Sequence, residues 1–80
     1  MKEIIDFLVI SINKYSKITI DNISENIFEY DISPLDMLYV VDELEKEYQV
    51  STREIFHNFD YKSFTIASLA EKIHSFLSVS

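Results

Sequence analysis

Residues 31–50, "DISPLDMLYVVDELEKEYQV", decide the fold. Ser33 predicts an N-cap, its hydroxyl accepting from a first-turn amide, and Pro34 suits the first helical position, where a missing N–H costs nothing. Asp36 at the third position completes an S-x-x-D box and sets a negative charge at the positive end of the helix dipole. Leu35, Leu38, Val41, Leu44 and Tyr48 then recur at spacings of three and four, so this stripe is expected to face a core. Asp42, Glu43, Glu45, Lys46 and Glu47 decorate the other side. An amphipathic helix needs partners for its apolar face, and the flanking sequence must supply them.

Three further segments carry helical periodicity. From about Lys2 to Tyr15, Ile4, Ile5, Leu8, Ile12 and Tyr15 form one stripe, and Phe7, Val9 and Ile10 widen the apolar surface beyond what one partner needs. Ser51 and Glu54 form an S-x-x-E capping box for a short third helix, with Ile55, Phe56 and Phe59 as its apolar contacts. After the turn-like "NFDYKS", Thr65 is placed to cap a fourth helix striped by Ile66, Leu69, Ala70, Ile73, Phe76 and Leu77. The connection "SKITIDNISENIFEYDI" is polar, with Ile18, Ile20, Ile23, Ile27 and Phe28 as recurring anchors. Its alternation in "KITID" has no second strand to pair with, so it reads as a loop pinned to the core. The expectation is an all-α fold, a single domain over residues 1–80: a small four-helix bundle with a long first loop and a short third helix.

Composition narrows the function. The 80 residues contain no cysteine, which removes disulfides, thiolate nucleophiles and cysteine-based metal or redox sites and makes a cytoplasmic location the default. They contain no glycine either, so the phosphate-cradling loops of nucleotide sites are missing. No apolar run approaches the roughly 18 residues of a membrane span. "FLVISI" follows Glu3 and Asp6 with only Lys2 before it, a poor signal peptide. Fourteen acidic residues stand against seven basic ones, and between Asp21 and Glu47 Lys46 is the sole base among the acids. Such a surface repels phosphate backbones and attracts a partner with a basic patch.

Catalytic constellations are hard to assemble. His57 and His74 are isolated from each other and from any metal-ligand spacing, and read as surface or edge residues. The serines have neither a partnered histidine nor a glycine-flanked elbow. Paired acids on the second helix would need a desolvated cleft to shift their pKa values, which a bundle of this size rarely provides. No enzyme activity, metal or cofactor is expected. Met37 and Tyr39 lie off the Leu35–Leu38–Val41 stripe; Tyr39 is either an exposed anchor beside an acidic face or a side chain packed on the long loop.

These residues resemble the acyl and peptidyl carrier proteins, whose hallmark is D-L-G-x-D-S-L followed by an acidic amphipathic helix. In "EYDISPLDMLYVVDELEKEYQV", Leu35 and Asp36 match the L-D after the family's serine, Leu38 its valine and Leu44 its later leucine. Glu45 and Glu47 match the acidic run, and Tyr48 and Val50 the F-x-I ending. "FTIASLAEKI" resembles the family's T-V-x-x-L-x-x-x-I segment, so the likeness covers nearly the whole chain. It implies an acyl-carrier-like bundle. In the family the serine bears a phosphopantetheine arm on its hydroxyl; here that position is Pro34, which has no hydroxyl, while Ser33 replaces the preceding aspartate and Asp31 the glycine.

The resemblance therefore implies a carrier scaffold without phosphopantetheine, similar to the small acyl-carrier-related proteins of bacteriocin-type peptide maturation systems. The expected role is non-enzymatic docking on a basic patch of a peptide-modifying enzyme or transporter, with Asp36, Met37, Tyr39, Asp42, Glu43 and Glu47 as contacts. The alternative is a covalent acyl or aminoacyl carrier modified at Ser33. A third reading is a structural subunit that oligomerises through Phe7, Val9 and Ile10.

Overall fold

A computed structural model describes residues 2–57 and 64–78. Four α-helices follow in order: α1 (Lys2–Ser16), α2 (Pro34–Tyr48), α3 (Thr52–Phe56) and α4 (Ile66–Ser78). No strand occurs among the described residues. α1 packs against both α2 and α4, and α3 contacts α2 and α4. The core is built from Ile4, Leu8 and Ile12 of α1, Met37, Val40 and Leu44 of α2, Ile55 of α3, and Ile66, Leu69, Ala70 and Ile73 of α4. The stripes expected on α1 and α4 therefore face inward. Phe59 and the "NFDYKS" turn lie outside the described residues.

The α1–α2 connection is anchored as its isoleucine spacing predicts. Ile20, Ile27 and Ile32 are buried, and Ile18 and Ile23 pack partly against the core. Phe28 is the exception among the expected anchors: it is 48% exposed. The segment also contains a 3₁₀ turn, Ile27–Tyr30, that periodicity did not indicate; the Asn26 side chain accepts from the Phe28 N–H at 2.9 Å and caps it. The connection is tied to the start of α4 by Ile27 N–H donating to the Phe64 carbonyl (2.8 Å) and Ala67 N–H to the Ile23 carbonyl (3.0 Å). These bonds satisfy backbone groups that burial of Ile27 would otherwise strand.

The rotation of α2 differs from the expectation. Met37, Val40 and Leu44 face the core, whereas Leu35 and Leu38 point outward, 58% and 65% exposed. The 15-residue helix carries two interleaved apolar stripes, Leu35–Leu38–Val41 and Met37–Val40, that both run into Leu44, so periodicity alone admits either. What selects one is the residue before the cap. Ile32 and Met37 stand at the two positions of a hydrophobic staple around Ser33, and both are buried. Fixing that pair toward the core turns Leu35 and Leu38 to the outside. The cap itself is as expected: Ser33 Oγ accepts from the Leu35 N–H at 3.2 Å, and Pro34 opens the helix.

The caps of the later helices divide. Thr65 and Ser68 form a reciprocal box, Ser68 N–H donating to Thr65 Oγ1 (3.0 Å) and Thr65 N–H to Ser68 Oγ (3.2 Å). At α3 the expected Ser51 cap is not made. Glu45 of α2 accepts instead from the Thr52 N–H (3.1 Å) and hydroxyl (2.9 Å), a charge-assisted cap delivered from the preceding helix.

Lacking glycine, the chain ends α1, the 3₁₀ turn and α2 with other residues in the left-handed region, Lys17 at φ 65°, Asp31 at φ 60° and Gln49 at φ 54°, whereas α3 ends at His57 in extended backbone. Lys17 N–H donates to Asn13 and Gln49 N–H to Glu45, the bonds that usually accompany a glycine terminator. A non-glycine residue pays roughly 1–2 kcal/mol for this geometry, and glycine loses about 0.5–1 kcal/mol more backbone entropy on folding. Lys17→Gly and Gln49→Gly are each expected to stabilise the fold by about 0.5–1 kcal/mol, read as a rise in the thermal midpoint. Asp31→Gly should gain less, because aspartate tolerates this region better.

Candidate functional site: the outer face of α2

The α1–α2 pairing is organised around Glu43. Its Oε1 accepts from Lys14 Nζ at 2.8 Å and from the Tyr15 hydroxyl at 2.7 Å, and its Oε2 from Ser11 Oγ at 3.3 Å. Ser11 is the buried polar residue of the core, so this contact satisfies its hydroxyl. The hydrogen bond from Lys14, followed by that from Tyr15, holds the Glu43 carboxyl below its ordinary value of 4.5, and the same contact raises Lys14 above 10.5. The stabilisation from Glu43 is therefore present above pH 4.5 and lost as pH falls through its depressed pKa. The Lys14 contribution is present below pH 10.5 and fades as pH rises past its raised value. Glu43→Gln, which retains an acceptor but loses the charge, is expected to lower the thermal midpoint at pH 7 and to flatten the acid limb of the stability profile below pH 4.5.

Glu43 is thus engaged inside the protein, and the other acids of α2 are partly engaged too. Glu45 caps α3, and Asp42 pairs with Lys46 at 3.0 Å. Asp36 and Glu47 have no ion-pair partner among the described residues. The six expected contacts do not share a surface. Met37 is in the core at 8% exposure and Glu43 faces α1, which leaves Tyr39, Asp42 and Glu47 exposed and Asp36 half-buried. Tyr39 fits neither alternative fully: half exposed, it stacks on Tyr15 of α1 with ring centroids 5.4 Å apart and planes at 20°, rather than on the long loop.

The surface that does form is apolar. Leu35, Leu38, Tyr39 and Asp42 fall within about 100° of arc at helical spacing, so three large apolar side chains crowd the solvent face of the first two turns. Sequence spacing had assigned Leu35 and Leu38 to the core, and the Ile32–Met37 staple was the signal that places them outside. Toward α3 this face borders an open groove of about 530 Å³. Phe28, Met37, Leu38, Val41, Phe56 and Phe64 supply its apolar wall; Pro34, Thr52 and Arg53 complete it. The three phenylalanines pack edge to face, Phe28 on Phe64 at 5.3 Å and Phe56 on Phe64 at 5.8 Å. That geometry fixes an aromatic surface without a polar handle.

Ser33 and Pro34 are exposed at the head of α2. His57 follows α3 as its C-cap and His74 lies on the exposed side of α4. Among the described residues no three histidine, aspartate or glutamate side chains converge on a metal position, and no helix is long and apolar enough to cross a membrane. The chain matches no protein-family model, no curated protein and no solved structure.

Proposed function

We propose that this protein is a non-enzymatic docking or accessory protein built on an acyl-carrier-like bundle, serving a bacteriocin-type peptide maturation system without a phosphopantetheine arm. The observation that carries the docking reading is the exposure of Leu35, Leu38 and Tyr39 on one face of α2. Large apolar side chains held on a rigid helix, with a groove beside them, are the anchors of protein interfaces. The carrier-like part of the reading is supported by the motif resemblance, and the lack of an arm by Pro34 at the position where the family has serine. The partner is a peptide-modifying enzyme or transporter that offers an apolar patch ringed by basic residues. Engagement of Glu43 and Glu45 within the fold moves the binding energy from the acids to the leucines; the formal charge of −7 remains to steer the encounter.

The test is a photoreactive phenylalanine analogue placed at position 38, with position 75 on the exposed side of α4 as control. Expressed beside its candidate maturation enzyme or transporter, the protein should cross-link through position 38 and not through position 75. Equal cross-linking from both positions, or none, removes this face as the interface. Association measured with the partner should slow as salt rises.

A second reading, a covalent acyl or aminoacyl carrier, is favoured by the exposure of the Ser33 hydroxyl. Against it, that hydroxyl is engaged as the cap of α2 and is followed by a rigid proline. Intact mass after incubation with coenzyme A and a broad-specificity phosphopantetheinyl transferase is expected to be unchanged. A gain of one arm, absent in Ser33→Ala, would replace the docking reading with the carrier one.

A further inference from the structure

The face where α3 meets α4 carries a polarity that docking through α2 does not use. An open depression of about 540 Å³ lies there, lined by Arg53, Glu54, His57, Lys72 and Phe76. Arg53 and His57 stand four residues apart along α3 and its C-cap, and Lys72 and Phe76 four apart along α4, so each pair presents to one side of its helix. Lys14 and Lys46 are neutralised by Glu43 and Asp42. Arg53 and Lys72, by contrast, have no ion-pair partner among the described residues, although Glu54 lines the same depression. Phe76, half-buried against the core, supplies an apolar wall. In a chain with twice as many acids as bases, two cations, one acid, an imidazole and an aromatic ring thus meet at one place.

We infer that this depression binds the free carboxy terminus of a peptide that ends in an apolar residue. The Arg53 guanidinium donates to the α-carboxylate through its planar fork, and Lys72 adds a second positive charge. The terminal side chain lies on the Phe76 ring, and Glu54 and the His57 imidazole accept from the backbone N–H groups that precede the carboxylate. A peptide end is the ligand that answers every lining group. A neutral apolar ligand would gain Phe76 and leave both cations unanswered. A dianion such as a phosphomonoester would gain the cations but meet the Glu54 carboxylate, and it has no N–H groups to offer it. The volume falls within the ~300–1,000 Å³ typical of small-molecule sites, and the open mouth lets the rest of the peptide leave. The inference does not rest on the docking reading, which concerns the outer leucines of α2. Arg53 also borders the groove beside α2, so the test separates the two surfaces.

The test is a titration of the full chain, followed by amide NMR shifts, with the tripeptide acetyl-Ala-Ala-Phe as free acid. The same tripeptide as its carboxy-terminal amide, acetyl-Ala-Ala-Ser and phenyl phosphate serve as controls. The acid is expected to shift amides at Arg53, His57, Lys72 and Phe76 and to bind about tenfold tighter than the amide. The serine-ended peptide should bind about fivefold weaker than the phenylalanine-ended one, about half the effect of full burial because the site is open. Arg53→Gln is expected to weaken the acid about tenfold while leaving the amide within about twofold. Lys2→Gln, which removes the same charge from α1, should leave both unchanged. Arg53 and Lys2 are exposed, so neither change reaches the core, and circular dichroism checks the fold. Equal affinity for acid and amide, an Arg53→Gln variant that binds the acid like the parent, or tighter binding of phenyl phosphate overturns the inference. So do shifts confined to Leu38 and Val41 of the neighbouring groove, or a flat titration, which would leave the outer face of α2 standing as a docking surface.

Discussion

Leu44→Ala is expected to destabilise the protein by about 2–5 kcal/mol, whereas Leu38→Ala, less than two turns away on the same helix, should change stability by no more than about 0.5 kcal/mol. Leu44 is fully buried where α2 meets the rest of the core, so truncation removes apolar contacts and leaves a cavity that its neighbours close only in part. Leu38 is 65% exposed and has little to lose. A chain of 80 residues has a total stability of roughly 4–12 kcal/mol. The first substitution therefore consumes a large fraction of it, and the second almost none. Urea denaturation of the two variants reads the difference directly. Because Leu38 and Leu44 belong to the stripe that periodicity would bury together, similar losses from both would mean that α2 is rotated the other way, and the apolar outer face would disappear with it.

Helix α2 also shows what sequence spacing can and cannot deliver. Its start was legible because capping is local chemistry: Ser33, Pro34 and Asp36 announce it within four residues, whereas its end at Tyr48 rests on Gln49 taking the left-handed conformation, which no sequence signal announced. Its rotation was not legible from spacing alone, since Leu35–Leu38–Val41 and Met37–Val40–Leu44 are both sound helical stripes. The extra information sat one residue before the cap, in Ile32. α1 and α4 posed no such choice, because each has one dominant stripe. The features missed elsewhere depend on contacts between segments distant in sequence. The 3₁₀ turn is held by an Ile27–Phe64 bond, Glu45 reaches from one helix to cap the next, and Glu43 answers Ser11, Lys14 and Tyr15, about thirty residues earlier. The candidate site was the least legible part, since which acids of α2 stay exposed depends on partners that α1 and α3 bring to them.

Restoring the carrier family's residue pair, Ser33→Asp with Pro34→Ser, is expected to convert a chain that takes no arm into one that takes one. Position 34 is exposed at the first turn of α2, so a serine there presents its hydroxyl to solvent without disturbing the core. Aspartate at position 33 is as good an N-cap as serine and stays clear of the esterified oxygen. Losing the proline costs about 0.4–1 kcal/mol through a freer unfolded chain, which the fold should tolerate. Intact mass after treatment with coenzyme A and a broad-specificity transferase should then rise by one phosphopantetheine group in the double variant and not in the parent. Ser33→Asp alone should remain unloaded, because the acceptor oxygen is what Pro34 removes. If the double variant folds and still takes no arm, the missing hydroxyl is not the whole obstacle. The transferase would have to be failing on the surface around it, where Leu35 and Leu38 are matched to the family but Asp31 stands in place of its glycine. That result would weaken the carrier-like part of the proposal while leaving the apolar face of α2, which rests on geometry, as the place to look for a partner.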